Sequence, residues 1–241
     1  MPAADHILAC LKIVEVERAA RVTVAGLDAK VLAIKTYQQR RFCHTYADIL
    51  GGVRYGSASR FFLDELYGPT DFTRRDAQFA RVVPALVRLF PKEIVGTVAT
   101  LAELHALSEH MDTLIARELE RTPVTATCYI AAWQAAGHEA ERQKQIDLTI
   151  DVARSLDRLT RKPLLRNSLR LMRRPATAAG LGELQQFLER GFDTFKAMNG
   201  ASEFIALVED RERALVTALF STATGRAATR KGMNAAVELI P

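Results

Sequence analysis

The chain has 241 residues, of which 49% are hydrophobic and 25% charged, and it carries a formal net charge of +5. That balance excludes a chain disordered over most of its length. No apolar run approaches the roughly 18 residues that span a bilayer, and MPAADHILACLKIVEVERAA at the N-terminus has neither the basic start nor the unbroken apolar stretch of a signal peptide. A cytoplasmic protein is expected. Cys10, Cys43 and Cys128 are odd in number and lack a CxxC spacing, which points to reduced thiols packing as small hydrophobes.

In chain order, apolar residues at three- and four-residue intervals predict helices over 5–23, 27–50, 58–67, 74–90, 92–120, 124–136, 138–160, 163–174, 182–197 and 202–220. Gly51-Gly52, Gly68-Pro69, Gly137 and Asn199-Gly200 stand where these helices stop. Thr73 with Asp76 reads as a capping box, Pro91 and Pro163 as first-turn prolines, and Pro84 as a kink within a helix. The expectation is an all-α single domain of about ten helices over residues 1–221. Residues 222–241 lose the apolar period and read as a loosely attached basic tail.

On a helical wheel of 92–120, Ile94, Val98, Leu101, Leu104, Ser108, Met111, Ile115 and Leu119 form one stripe. His105 and Asp112 fall within it, whereas Glu103 and His110 fall opposite, so this helix alone cannot offer both histidines to one metal. His105 is then either a core histidine paired to a carboxylate or carbonyl, with Glu109 one turn away, or an axial ligand to haem iron in an apolar pocket.

Two resemblances bear on that choice. GTVATLAELHALSEHMD (96–112) resembles the globin helix that carries the proximal histidine, and Arg60-Phe61-Phe62 resembles the globin corner whose phenylalanine packs on the haem face. The resemblance implies a haem-binding sensor or carrier with a globin-like core and extra C-terminal helices. His105 would be the proximal ligand and Phe62 the haem-packing aromatic, with Gln78 and Val82 near the distal side. Separately, FFLDELYGPTDFTRRDAQFARVVPALVRLFP (61–91) resembles a motif of uncharacterised bacterial all-helical proteins, which implies no activity. Its Phe61, Phe62, Tyr67 and Phe72 read as a packing knot.

Enzyme signatures are sparse. No GxGxxG, GxxxxGK[ST], GxSxG or HExxH occurs. A di-iron carboxylate oxidoreductase would draw on Glu65, Glu103, Glu109 and Glu141 with His105, His110 and His138, but no Glu-x-x-His pair is present.

Residues 158–174, RLTRKPLLRNSLRLMRR, hold seven Lys/Arg and no acid. Lys162, Arg166, Arg170 and Arg174 recur every fourth residue, with Arg173 beside them, and so stack along one helix face. Either acids of neighbouring helices neutralise this ridge, or it meets an anionic partner such as a phosphate group, an acidic protein face or a membrane surface. Nucleic acid is disfavoured, since no aromatic residue interleaves the basics. Three function classes stay open: haem binder, non-enzymatic interaction protein and di-iron enzyme.

Overall fold

The computed structural model describes residues 1–65, 68–221 and 240–241. Among them the chain forms eleven helices and no strand: α1 (Ala3–Thr23), α2 (Leu27–Thr45), α3 (Ala47–Leu50), α4 (Gly56–Glu65), α5 (Thr73–Leu89), α6 (Lys92–Glu118), α7 (Ala126–Ala136), α8 (Glu139–Thr160), α9 (Pro163–Ala178), α10 (Gly182–Ala197) and α11 (Ser202–Ser221). Most of the expected tail, 222–239, and Tyr67 lie outside the described residues. Among the described residues no helix is long and apolar enough to cross a membrane.

The all-α class follows from the periodicity, and three local expectations are corrected. The segment expected as one helix over 27–50 breaks at Tyr46, which sits at φ −117° and ψ 21° between α2 and α3. Tertiary contacts decide this. Tyr46 is fully buried, lies tilted against the Phe42 ring with centroids 4.2 Å apart, and donates its hydroxyl to Glu212 at 2.7 Å. Arg211 then donates to the Thr45 carbonyl at 2.6 Å, near the break. The capping box is also absent. Thr73 is already inside α5 and its N–H is accepted by the Asp71 carboxylate at 2.9 Å, which leaves Asp76 to bond elsewhere. Finally, α9 runs four residues past its expected end, continuing through Pro175 to Ala178.

The long α6 is the axis of the molecule, packing against α1, α2, α7 and α8. Its C-terminal half enters the main core with α2, α7, α8 and α11, where Tyr37, Ile115, Leu119, Tyr129, Ile150 and Leu219 are shut off from water. Each such side chain contributes about 1.5–3 kcal/mol by leaving water. Its N-terminal half joins a second apolar cluster with α1 and α5, built on Ile7, Val14, Val83, Ala102 and Ala106. The chain's end reaches the main core: Ile240 is buried and the Pro241 carbonyl accepts the Tyr37 hydroxyl at 2.7 Å. α10 closes the opposite side against α4, α5, α8 and α9. Two of the four aromatics expected to pack together meet rings of α10 there, with Phe61 stacked on Phe187 (5.7 Å) and Phe62 edge-on to Phe195 (5.7 Å), while the Phe72 ring is covered by the Arg75 guanidinium.

Candidate functional site

Between the two apolar clusters, one face of α6 carries His105, Ser108, Glu109 and Asp112. Residues three, four and seven apart share a helix face, so this line follows from the sequence. The charges that meet it come from α1, α2 and α5. Glu109, almost fully buried, accepts from Arg18 Nη2 at 3.0 Å and from Lys35 Nζ at 2.7 Å, and its other oxygen lies 2.6 Å from Arg21 Nη1. Arg21 is itself buried and also donates to Thr113 Oγ1 at 2.9 Å. Asp112 accepts from Gln38 Nε2 at 3.1 Å, with Lys35 at 4.0 Å.

Asp76 completes the cluster from α5. Its Oδ2 receives Arg18 Nη1 and His105 Nε2, both at 2.9 Å. Burial opposes ionisation of Asp76, but the His105 bond and the charges of His105 and Arg18 outweigh it and hold the carboxyl below its ordinary value. The partner of His105 is therefore Asp76 and not Glu109, which three cations occupy. His105 is partly buried, with 22% of its side chain exposed, against 47% for His110, which pairs with Glu17 on the outer side.

Beyond His105 lies an apolar cavity of about 170 Å³ whose walls include Phe62, Phe79, Val98, Leu101, Leu184 and Phe187. His105, Asp76, Ser108 and Gln145 form its polar edge. Ser108 Oγ accepts from Gln145 Nε2 at 2.8 Å, and Arg142 donates to Gln145 Oε1 at 2.9 Å. Whenever His105 is neutral and Asp76 ionised, the ring proton lies on Nε2, toward the carboxylate, and Nδ1 is left as an acceptor.

Of the four residues carried over for haem, Phe62 and His105 line this one cavity and the other two do not. Gln78 is buried, and its Oε1 accepts the Leu184 N–H at 3.2 Å in the first turn of α10. Val82 is half-buried on α5. The fit to a haem is poor, because His105 Nε2 is engaged by a carboxylate and the cavity is smaller than the ~300 Å³ at which pockets for drug-sized ligands begin. The residues considered for a di-iron site are dispersed in separate pairs: Glu65 with Arg190, Glu103 with Lys144 and Glu141 with His138. Among the described residues no group of three or more His, Cys, Asp or Glu is placed to hold a metal ion.

The basic ridge divides in two. Lys162 pairs with Glu93, Arg166 with Asp193 at 2.6 Å, and Arg173 grips both oxygens of Glu189. Arg170 and Arg174 are exposed and form no ion pair with a described residue.

Arg18, Arg21 and Lys35 did not stand out in the sequence as site residues. Arg21 carried a signal, since it lies seven residues after Val14 and fourteen after Ile7, in line with an otherwise apolar face of α1. A basic residue on a buried stripe demands a buried acid. No curated protein and no solved structure matches this chain. A family model described as a domain of unknown function (DUF8198) matches residues 17–225, a span that holds every charged residue of the His105 cluster, and the chain belongs to that family.

Proposed function

We propose that this protein binds a small, mostly apolar molecule bearing one hydroxyl or N–H group, seated in the cavity beside His105. The observation that carries the reading is an apolar cavity of about 170 Å³ edged by an imidazole whose orientation Asp76 fixes. About 150 Å³ of apolar cavity is enough for a benzene-sized guest. Apolar walls supply affinity, and a hydrogen bond from the ligand to the oriented imidazole at the cavity edge supplies selectivity. The ion cluster behind Asp76 serves to keep the imidazole in one tautomer and one position. Haem remains the second reading: Phe62 and His105 share the cavity, and the proximal-helix resemblance implies it.

The test compares indole with indene, a hydrocarbon of the same shape without the N–H, by calorimetry and thermal shift. Indole should bind about tenfold more tightly than indene, as expected for one hydrogen bond of roughly 1.5 kcal/mol. His105→Leu should abolish that preference while apolar binding persists. Failure of the folded protein to bind either probe would overturn the proposal. Haemin added to the same protein distinguishes the second reading: a one-to-one Soret band lost in His105→Leu would assign the pocket to haem instead.

A further inference from the structure

Among the helices longer than one turn, α9 is the least covered: of its described side chains only Ala176 is buried. On its wheel the apolar residues span two adjoining sectors. One holds Leu165, Leu169 and Ala176, which are partly or fully buried in a helix packed chiefly against α10. The other holds Leu164, Leu171 and Met172, and these project into solvent with 78%, 79% and 50% of their surface exposed. Ser168 and Pro175 lie on the same outer line. The basic residues divide in the same way. Arg166 and Arg173 are drawn in to Asp193 and Glu189, while Arg170 and Arg174, four residues apart, flank the exposed leucines without an ion-pair partner among the described residues.

We infer that the outer face of α9 docks on an anionic lipid bilayer, Leu164, Leu171 and Met172 entering the headgroup boundary while Arg170 and Arg174 meet lipid phosphates. The geometry matches a helix lying in the interface plane: a narrow exposed apolar line bordered by cations with long stems that reach back to the headgroups. The charge is complementary to an anionic leaflet, and the whole chain carries a net +5. A second copy of this chain fits the face less well. An antiparallel pairing of two α9 helices would bring Arg170 and Arg174 of both chains to one side of the contact, where like charges repel.

The experiment is co-sedimentation of the full chain with vesicles of pure phosphatidylcholine and of phosphatidylcholine containing one third phosphatidylglycerol. Binding is expected to the anionic vesicles and to fall steeply with salt. Arg170→Gln and Arg174→Gln should each weaken it about fivefold. Leu171→Asp and Leu164→Asp should weaken it at least tenfold while the melting temperature stays unchanged, because neither side chain packs on the protein. No sedimentation of folded protein with anionic vesicles would overturn the inference, as would equal binding of the wild type and the leucine variants. A concentration-dependent dimer that Leu171→Asp dissolves would also overturn it and assign the face to a second copy.

Discussion

Glu109 and Asp112 sit on one face of α6, both buried, and their surroundings push the two carboxyls in opposite directions. Burial penalises the charge on Glu109, but Lys35, Arg18 and Arg21 outweigh it and hold its pKa far below the ordinary 4.5. For Asp112 burial dominates and the neighbouring Glu109 adds to it, so its pKa is raised above 3.8 despite Lys35 and Arg142. The linkage signs differ accordingly. Glu109 contributes stability that is fully present above about pH 4.5 and is lost as pH falls through its lower folded value. Asp112 carries no penalty well below pH 3.8 and a full one once pH exceeds its raised folded value. Glu109→Gln should therefore destabilise the protein at neutral pH by about 3–5 kcal/mol, since it leaves cations buried without their counter-charge. That difference from the wild type should shrink on acidification. Asp112→Asn should be neutral or stabilising at neutral pH and lose any gain in acid. Urea unfolding of both variants across this range checks the pair, and equal losses at neutral pH would refute the assignment.

At the scale of the element, α9 carries two kinds of arginine in one helix. The two bonds from Arg173 hold Glu189 at about 2 in spite of burial, and Arg166 contributes its charge from 3.7 Å. Arg166→Gln combined with Arg173→Gln should lower stability by about 1–2 kcal/mol, because Glu189 would keep its partial burial and lose its cations. For a chain of this size that is roughly 2–8 °C in melting temperature. Arg170→Gln alone should leave melting unchanged, since an exposed charge without an ion-pair partner among the described residues adds little. A differential scan of these variants separates the inner from the outer arginines. A fall in melting temperature for Arg170→Gln would mean that this residue too is structural.

At the scale of the whole molecule, the first and last parts of the chain are bonded to one another. Arg41 and Tyr46 both reach Glu212, Arg211 chelates Asp48, and Tyr37 bonds the final carbonyl. α6 belongs to both apolar clusters, so neither can dissolve without exposing part of the helix that supports the other. Unfolding should therefore be a single transition. The one tryptophan, Trp133, lies in the main core with the Arg142 guanidinium 4.1 Å above its ring. Its fluorescence and the far-UV circular dichroism should lose signal at the same denaturant concentration. Separate midpoints would mean that the α1–α5–α6 cluster melts on its own.

Helix periodicity is a local property, written in each segment by the spacing of its apolar residues. For that reason the all-α class, most helix limits within a few residues, the first-turn place of Pro163, and the inward side of α6 that carries His105 and Asp112 were legible in the residue pattern alone. What it left open was which helix each inward group would meet. Glu109 stood nearest to His105 in the chain, yet Arg18, Lys35 and Arg21 claim it, from 91, 74 and 88 residues away, and Asp76 takes the imidazole. The basic ridge looked uniform because spacing records a face but not what lies against it; α10 then drew in Arg166 and Arg173 and left Arg170 and Arg174 outside. The break at Tyr46 has the same origin, a buried hydroxyl bonded 166 residues downstream. Burying a charge or a hydroxyl is tolerated only where a partner is present, and those partners exist only once the helices have packed.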